Sequence, residues 1–555
     1  MRSRYVLTTI MIAALSMPGP KVMAMPAPPT IAQQPSWRDR DLQQLRAQRA
    51  EARRLRRTPR PRGSVAPAGI LPNVSCPTPA APLEPSSYLN IADGQVNDQA
   101  AAALVDTFRE WANKPAATPL TIVVHFHGGL VDFSCGLSGA TALAPEYAAQ
   151  GAVPYFFIYN VGIFESIGKG DRSRGLFKLA DNQAAGLLSR IPQAESLDDL
   201  RHNDAREHQE MTKREDWFRI GMPPESIVGR LGQLAWAYMK QSIVDGLDLT
   251  HPESGPAAVL SPGEPCDQYT SDEQDPWPHI AAGIYDPRRA GARTFLCNLK
   301  DLIEARARNG GVTRIVLVGH STGAIYITQL IREAHRLWVH GTAATQKVNV
   351  ILLAPAVTYE TLGQMIDEAG GRVADLRIFT MQDDYEQADW VLSEYLESRT
   401  TLLSRFYDKS LLYAVSGIFE PARYADEPLI GMARFQTPET VADLESRADN
   451  VTDVARIKHV DEWLNGYGGS SGPFVYSPSY QAPIPFGSCT YHHGDFANPY
   501  SVTMTSVSEL VRLTANGLPW PTTYVPTLAA ICPPPDYPVV NPAEAPREHF
   551  EVSRR

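Results

Sequence analysis

Short apolar runs recur along the chain, and most are followed by a stretch with apolar positions three and four apart. Residues 120–126, 153–159, 315–318, 348–353 and 376–381 are rich in Val, Ile, Leu and Phe and lack the polar alternation of a half-solvated strand. Runs of that length and composition predict strands buried on both faces. Helical spacing marks residues 101–111, 140–150, 294–307 and 502–513, and the stretch after Gly323, where Ile325, Ile327, Leu330 and Ile331 form an apolar face. Strands alternating with helices predict an α/β fold: a mostly parallel sheet flanked by helices. The rhythm breaks twice. Residues 161–290 are charge-rich and helical in pattern, with no comparable strand, and predict a large helical cap or lid inserted between core strands. Within it, residues 227–247 are amphipathic and carry Leu231, Leu234, Trp236, Met239 and Ile243. A second insertion is expected near 400–480. In between, 365–374 reads as a polar connection, 411–415 as either helix or strand, and 466–485 as loop.

The ends of the chain read differently. Arg2 and Arg4 precede an apolar stretch too short to span a bilayer, and Val22-Met23-Ala24 offers small residues for cleavage after Ala24, so 1–24 is predicted to be a signal peptide. Residues 25–86 form a disordered leader, an arginine-rich arm and a linker. The arm holds ten arginines and three acids between Trp37 and Arg62. It reads as a solvated tail or as a basic segment in weak contact with anionic surfaces. The predicted core then occupies 87–160 and 291–532, and 533–555 is a Pro-rich tail. A formal charge of −10 over 555 residues argues against nucleic acid as a partner. Six cysteines without a CxxC pair suit disulfides better than metal, and Cys266–Cys297 and Cys489–Cys532 are the expected pairings. Together these features predict a periplasmic or secreted protein. Oligomeric state is not legible.

The candidate chemistry begins at Gly319-His320-Ser321-Thr322-Gly323, placed between a predicted strand and a predicted helix. A sharp strand-to-helix turn exposes a serine hydroxyl at the carboxyl edge of a sheet, and the flanking glycines remove clashing side chains. The same pattern at Gly468-Gly469-Ser470-Ser471-Gly472 has neither strand nor helix beside it, and reads as a loop. After the early strand, His127-Gly128-Gly129 can bring backbone N–H groups close to a substrate carbonyl; with the N–H of Thr322 these would form an oxyanion hole. His127 is expected to support that turn by hydrogen bonding, and His125 to be a satisfied sheet histidine. A serine near pH 7 needs an imidazole base and an acid to orient it. The candidates are His493, with His492 as the alternative, and Asp383, with Asp384 as the alternative.

The order Ser321, acid, His, together with the Gly128-Gly129 turn and the elbow, resembles the α/β-hydrolase superfamily, and its serine lipases and esterases in particular. The resemblance spans about residues 118–515 without the insertion. It implies hydrolysis of a small-molecule or lipid-like ester through an acyl-enzyme, with no cofactor or metal. A non-catalytic envelope binding protein on the same scaffold, and an acyltransferase using the same triad, are the alternative expectations. The cap is expected to set substrate choice.

Overall fold

In the computed structural model the described residues are 83–91, 98–129, 131, 133–159, 227–247, 291–387, 389, 410–420, 427–437, 451–469, 472–479, 481–526 and 532. The predicted signal peptide, arginine-rich arm, Pro-rich tail and most of the 161–290 insertion lie outside them.

Seven parallel strands form one sheet in the order β1-β3-β2-β4-β5-β6-β7. They are β1 (Tyr88–Ile91), β2 (Leu120–Phe126), β3 (Val153–Tyr159), β4 (Thr313–His320), β5 (Val348–Leu353), β6 (Val373–Met381) and β7 (Phe474–Ser477). All seven residues of β2 are buried, which is why its sequence is apolar without alternation. The parallel register of β2 with β4 runs from Leu120 opposite Thr313 to Phe126 opposite Gly319. β3 is added on one side of β2 and β4 on the other, so the order reverses between β2 and β4. In open α/β sheets that reversal leaves a crevice at the carboxyl ends.

Helices α1 (Asp98–Ala112), α2 (Phe133–Ala149), α3 (Ile227–Leu247), α4 (Gly291–Arg308), α5 (Gly323–Leu337), α6 (Tyr359–Ala369), α8 (Val451–Leu464, after α7, the single turn Asp383–Glu386) and α9 (Val502–Ala515) flank the sheet. Of these, α1, α4, α5, α6 and α8 pack in series, whereas α2 and α9 pack with each other. Buried arginines close two helix ends. Arg306 donates to the carbonyls of Trp111 (3.3 Å) and Lys114 (3.1 Å) at the end of α1, and Arg372 to that of Trp338 (2.9 Å) after α5. Terminal carbonyls lack intrahelical donors, and a cation there also complements the helix dipole.

Two readings of the sequence change, and a third is decided. The connection predicted for 365–374 overlaps the end of α6, whose Leu362, Met365 and Ala369 are buried at helical spacing. Strand β7 lies inside the stretch read as loop, and Phe474–Ser477 pairs with Ile378–Met381. Residues 411–414 resolve as a helical turn. The described part of the insertion, α3, is not a separate body: Trp236, Met239, Ile243 and Leu247 belong to the same buried cluster as the sheet residues. Glu420 ties it down, accepting from Trp236 Nε1 at 2.6 Å and from Lys240 Nζ at 2.7 Å.

Candidate active site

The turn between β4 and α5 places Ser321 at φ 52°, in the left-handed region that non-glycine residues rarely occupy. Its backbone is fixed on both sides: Ser321 N–H donates to Leu353 at 2.9 Å, and its carbonyl accepts from Ala356 N–H at 3.1 Å. The end of β5 therefore holds the strained residue in place. Glycine is required on either side. A Cβ on Gly323 would lie 2.5 Å from the carbonyl oxygen of Phe126, and one on Gly319 would lie 2.8 Å from the Gly323 backbone. The second Gly-x-Ser-x-Gly match behaves as a loop, with Gly468, Gly469 and Gly472 all at positive φ; its serines lie outside the described residues.

Gly128 and Gly129 follow β2 and press against this elbow. A Cβ on Gly128 would meet His320 Nδ1 at 2.7 Å, and one on Gly129 would meet the Thr322 side chain at 2.9 Å and Met239 Sδ at 2.9 Å. Only glycine lets the two turns approach this closely, and the approach brings the Gly128-Gly129 backbone beside the N-terminus of α5. His127 braces the turn. Its Nδ1 donates to the Gly128 carbonyl at 2.6 Å, and its Nε2 accepts from Tyr159 N–H at 3.1 Å, which fixes the tautomer. Its ring stacks on Tyr159 with centroids 4.1 Å apart. His125 is buried in the sheet and hydrogen-bonds Tyr147 at 2.9 Å; burial lowers its pKa to about 3.

The segment after β7 brings His493 to the elbow. His493 is 3% exposed and neither ring nitrogen has a hydrogen-bond partner among the protein atoms. Its main chain is clamped instead. The N–H donates to Asp389 Oδ2 at 2.7 Å, and the carbonyl accepts from His320 Nε2 at 3.0 Å. A carbonyl only accepts, so Nε2 of His320 carries the proton. Burial lowers His320 to about 4. His493 is pushed well below the ordinary histidine value, first by burial and then by His320, so it is a neutral imidazole at pH 7.

The carboxylate at the histidines is Asp389. It is 1% exposed and its Oδ1 lies 3.1 Å from His492 Nδ1. Asp383 points elsewhere, accepting from Tyr413 OH at 2.7 Å and Gln387 Nε2 at 2.6 Å. The side chain of Asp384 lies outside what is described. Sequence reasoning passed over Asp389 because several carboxylates follow β6 within a few residues, and only the path of the chain shows which one turns back. Next to it, Glu386 is fully buried and its pKa is raised well above the ordinary value by desolvation.

Ser321, His320, His493, Gly128 and Gly129 all line one cavity of about 270 Å³ at the carboxyl edge between β2 and β4. His492 is not among its lining residues. Among the described residues no group of three or more His, Cys, Asp or Glu is arranged to hold a metal ion. Close by, Cys489 and Cys532 form the expected disulfide, with Cα atoms 5.2 Å apart. Cys135 and Cys297 are also disulfide-bonded; Cys266, the partner expected for Cys297, lies outside the described residues.

An all-parallel sheet with helices around it, a serine on a strained strand-to-helix turn at its carboxyl edge and a histidine brought to that serine from beyond the last strand define an α/β hydrolase, and the chain belongs to that superfamily. Residues 280–394, from α4 through the elbow to the acid-bearing loop, match the family described as "Alpha/beta hydrolase of unknown function (DUF900)". No curated protein and no solved structure shows significant similarity to the chain.

Proposed function

We propose that the protein is an exported serine carboxylester hydrolase that works through an acyl-enzyme. The observation that carries this reading is the shared cavity: Ser321 on its strained turn, the unpartnered neutral ring of His493 and the Gly128-Gly129 turn all face it. In the proposed reaction His493 takes the proton from Ser321 Oγ as the oxygen attacks the ester carbonyl. Backbone N–H groups of the Gly128-Gly129 turn and of Thr322 stabilise the oxyanion. The alkoxide leaves with the proton from His493, and water then repeats the sequence on the acyl-enzyme. Asp389, rather than Asp383, is the carboxylate at the histidines: it holds the main chain of His493, and its only contact with an imidazole among the described residues is with His492. A second reading has His492 as the base, favoured by its direct Nδ1 contact with Asp389. Export is supported by the signal-like start and by the disulfide state of all four described cysteines.

The test is reaction with a fluorophosphonate probe and turnover of p-nitrophenyl esters by single variants. Ser321→Ala is expected to lose labelling and on the order of 10⁶ in kcat, and His493→Ala to lose a comparable amount. Asp389→Asn is expected to lose about 10⁴ if His492, whose ring it contacts, is the base, and much less if it only holds the His493 main chain, with Asp383→Asn within a few-fold of wild type. A large loss in His492→Ala with near-normal His493→Ala would select the second reading. An unlabelled Ser321 in folded protein would instead favour a binding protein on this scaffold. Material from the native source should begin after Ala24; an intact Met1 would argue against export.

A further inference from the structure

We infer that Tyr159 is a positioning residue of the site: its hydroxyl aims the backbone N–H of Gly128 and joins the two halves of the oxyanion hole without touching substrate. This rests on the ester-hydrolase reading of Ser321. Tyr159 ends β3, the strand beside β2, and is 1% exposed. It does not line the cavity that Ser321, Gly128 and Gly129 border. Its hydroxyl donates to the carbonyl of His127. A carbonyl only accepts, so the one phenolic proton is used there. In the long contact with Thr322 Oγ1, at 3.4 Å, the threonine hydroxyl is then the donor. One oxygen therefore meets the β2 turn on one side and the residue after Ser321 on the other. Burial raises the pKa of the phenol, so it stays a protonated donor at neutral pH.

The His127 carbonyl belongs to the same peptide unit as the Gly128 N–H. That unit is trans, so its carbonyl and its N–H point in opposite directions. With the carbonyl held at the buried phenol, the Gly128 N–H points away from Tyr159. The next unit is fixed in the same way, because the Gly128 carbonyl accepts from His127 Nδ1 at 2.6 Å and thereby directs the Gly129 N–H. The tautomer that allows this bond is set by Tyr159 as well, through its own N–H on His127 Nε2 at 3.1 Å. Both peptide planes of the turn thus depend on Tyr159, one through its hydroxyl and one through its main chain. Glycine opposes rotation of these units less than any other residue. Close packing excludes a Cβ from the turn, but the bonds to the carbonyls decide which way each N–H faces. A donor acts on charge that develops in the transition state only if it is already aimed there. Loss of the aim therefore lowers kcat and leaves ground-state binding in place.

The experiment compares wild type with Tyr159→Phe and Tyr326→Phe, each of which keeps its buried ring. The Tyr326 hydroxyl is the matched control: its ring lies 5.4 Å from that of Tyr159, and the hydroxyl has no hydrogen-bond partner. On p-nitrophenyl acetate, Tyr159→Phe should lower kcat about 10- to 100-fold, somewhat less than removal of an oxyanion donor outright. KM should stay within about three-fold, because acylation and deacylation both pass through an oxyanion and slow together. Tyr326→Phe should stay within about two-fold in both constants. The second readout needs no turnover. Amide-15N glycine combined with carbonyl-13C histidine selects amides that follow a histidine, among them Gly128 and Gly494. In Tyr159→Phe the Gly128 resonance should shift and broaden or double as its peptide samples a second orientation, while Gly494 stays in place. Normal kcat in Tyr159→Phe, with wild type turning over esters, overturns the inference and leaves the hydrolase reading standing. So does a fall in kcat with an unmoved Gly128 amide, or one matched by Tyr326→Phe. If folded wild type neither reacts with fluorophosphonate nor cleaves esters, the hydrolase reading falls. A moved Gly128 amide then still upholds the aiming of that peptide by Tyr159, and an unmoved one overturns it.

Discussion

Single residues decide the chemistry through burial more than through charge. His493 has lost its hydration without gaining a partner for its ring, and its pKa is lowered for that reason first. The sign follows directly. A histidine with a lowered pKa stays neutral as pH falls through 6.5, and protonates only at the lower, folded-state value. If this ring is the base, kcat/KM should be level from pH 8 to pH 6.5 and decline only on further acidification. A pH–rate profile with an acid limb at or above 6.5 would show instead that the base is solvated or ion-paired, as the second reading with His492 implies. Much at this scale was legible from sequence. The positions of Ser321, the Gly128-Gly129 turn and His493 follow from where they fall relative to strands and helices. Asp389 was not legible, because its role depends on a chain reversal after β6 that several nearby carboxylates could equally have served. The roles of His320 and His127 depend on which carbonyls face them, and spacing along the chain carries no trace of that.

Among the elements, β2 to β6 were legible because both faces of each are covered, so each is a continuous apolar run. β1 and β7 have only four residues each, and β7 sits between Gly-Pro and Ser-Pro, which read as turn signals. The elbow is an element in its own right, and its tolerance is set by backbone rather than side chains. Gly323→Ala would drive a Cβ against the carbonyls of Phe126 and His127, at 2.5 and 3.0 Å, neither of which can rotate away. The expected cost is about 3 kcal/mol, at the upper end for overpacking. Urea unfolding checks it: a midpoint unchanged from wild type would mean that the elbow and the β2 turn are not in the contact described. Helix α3 has a place in the core that its amphipathic sequence did not specify. With Met239 against Gly129 and Trp236 bonded to Glu420, it lies beside the Gly128-Gly129 turn, and the described residues that line the cavity come from α2, the sheet, the two turns and the segments bearing Leu411 and His493. The expected role of the insertion in substrate choice falls, apart from α3, on residues outside the described ones.

For the molecule as a whole, the site draws on segments far apart in sequence: the β2 turn, the elbow after β4, the loop after β6 and the segment after β7. The clamp on His493 joins three of them, through Asp389 on one side and His320 on the other. Its consequence lies in how the native state opens. The N–H of His493 is bonded to a buried carboxylate, and that of Ser321 to the end of β5. Neither can reach solvent by fraying of a surface loop alone. Amide hydrogen exchange of the two should therefore report one shared opening, with similar protection close to that of the central strands. His320→Ala removes one jaw of the clamp. It should release the His493 amide at least ten-fold while leaving Ser321 protected, and wild-type exchange that is already orders of magnitude faster at His493 than at Ser321 would show that the clamp does not hold. If the site opens only with its sheet, the proposed reaction would keep its dipoles aimed between turnovers, and substrate entry and product release would fall to segments outside this cooperative unit.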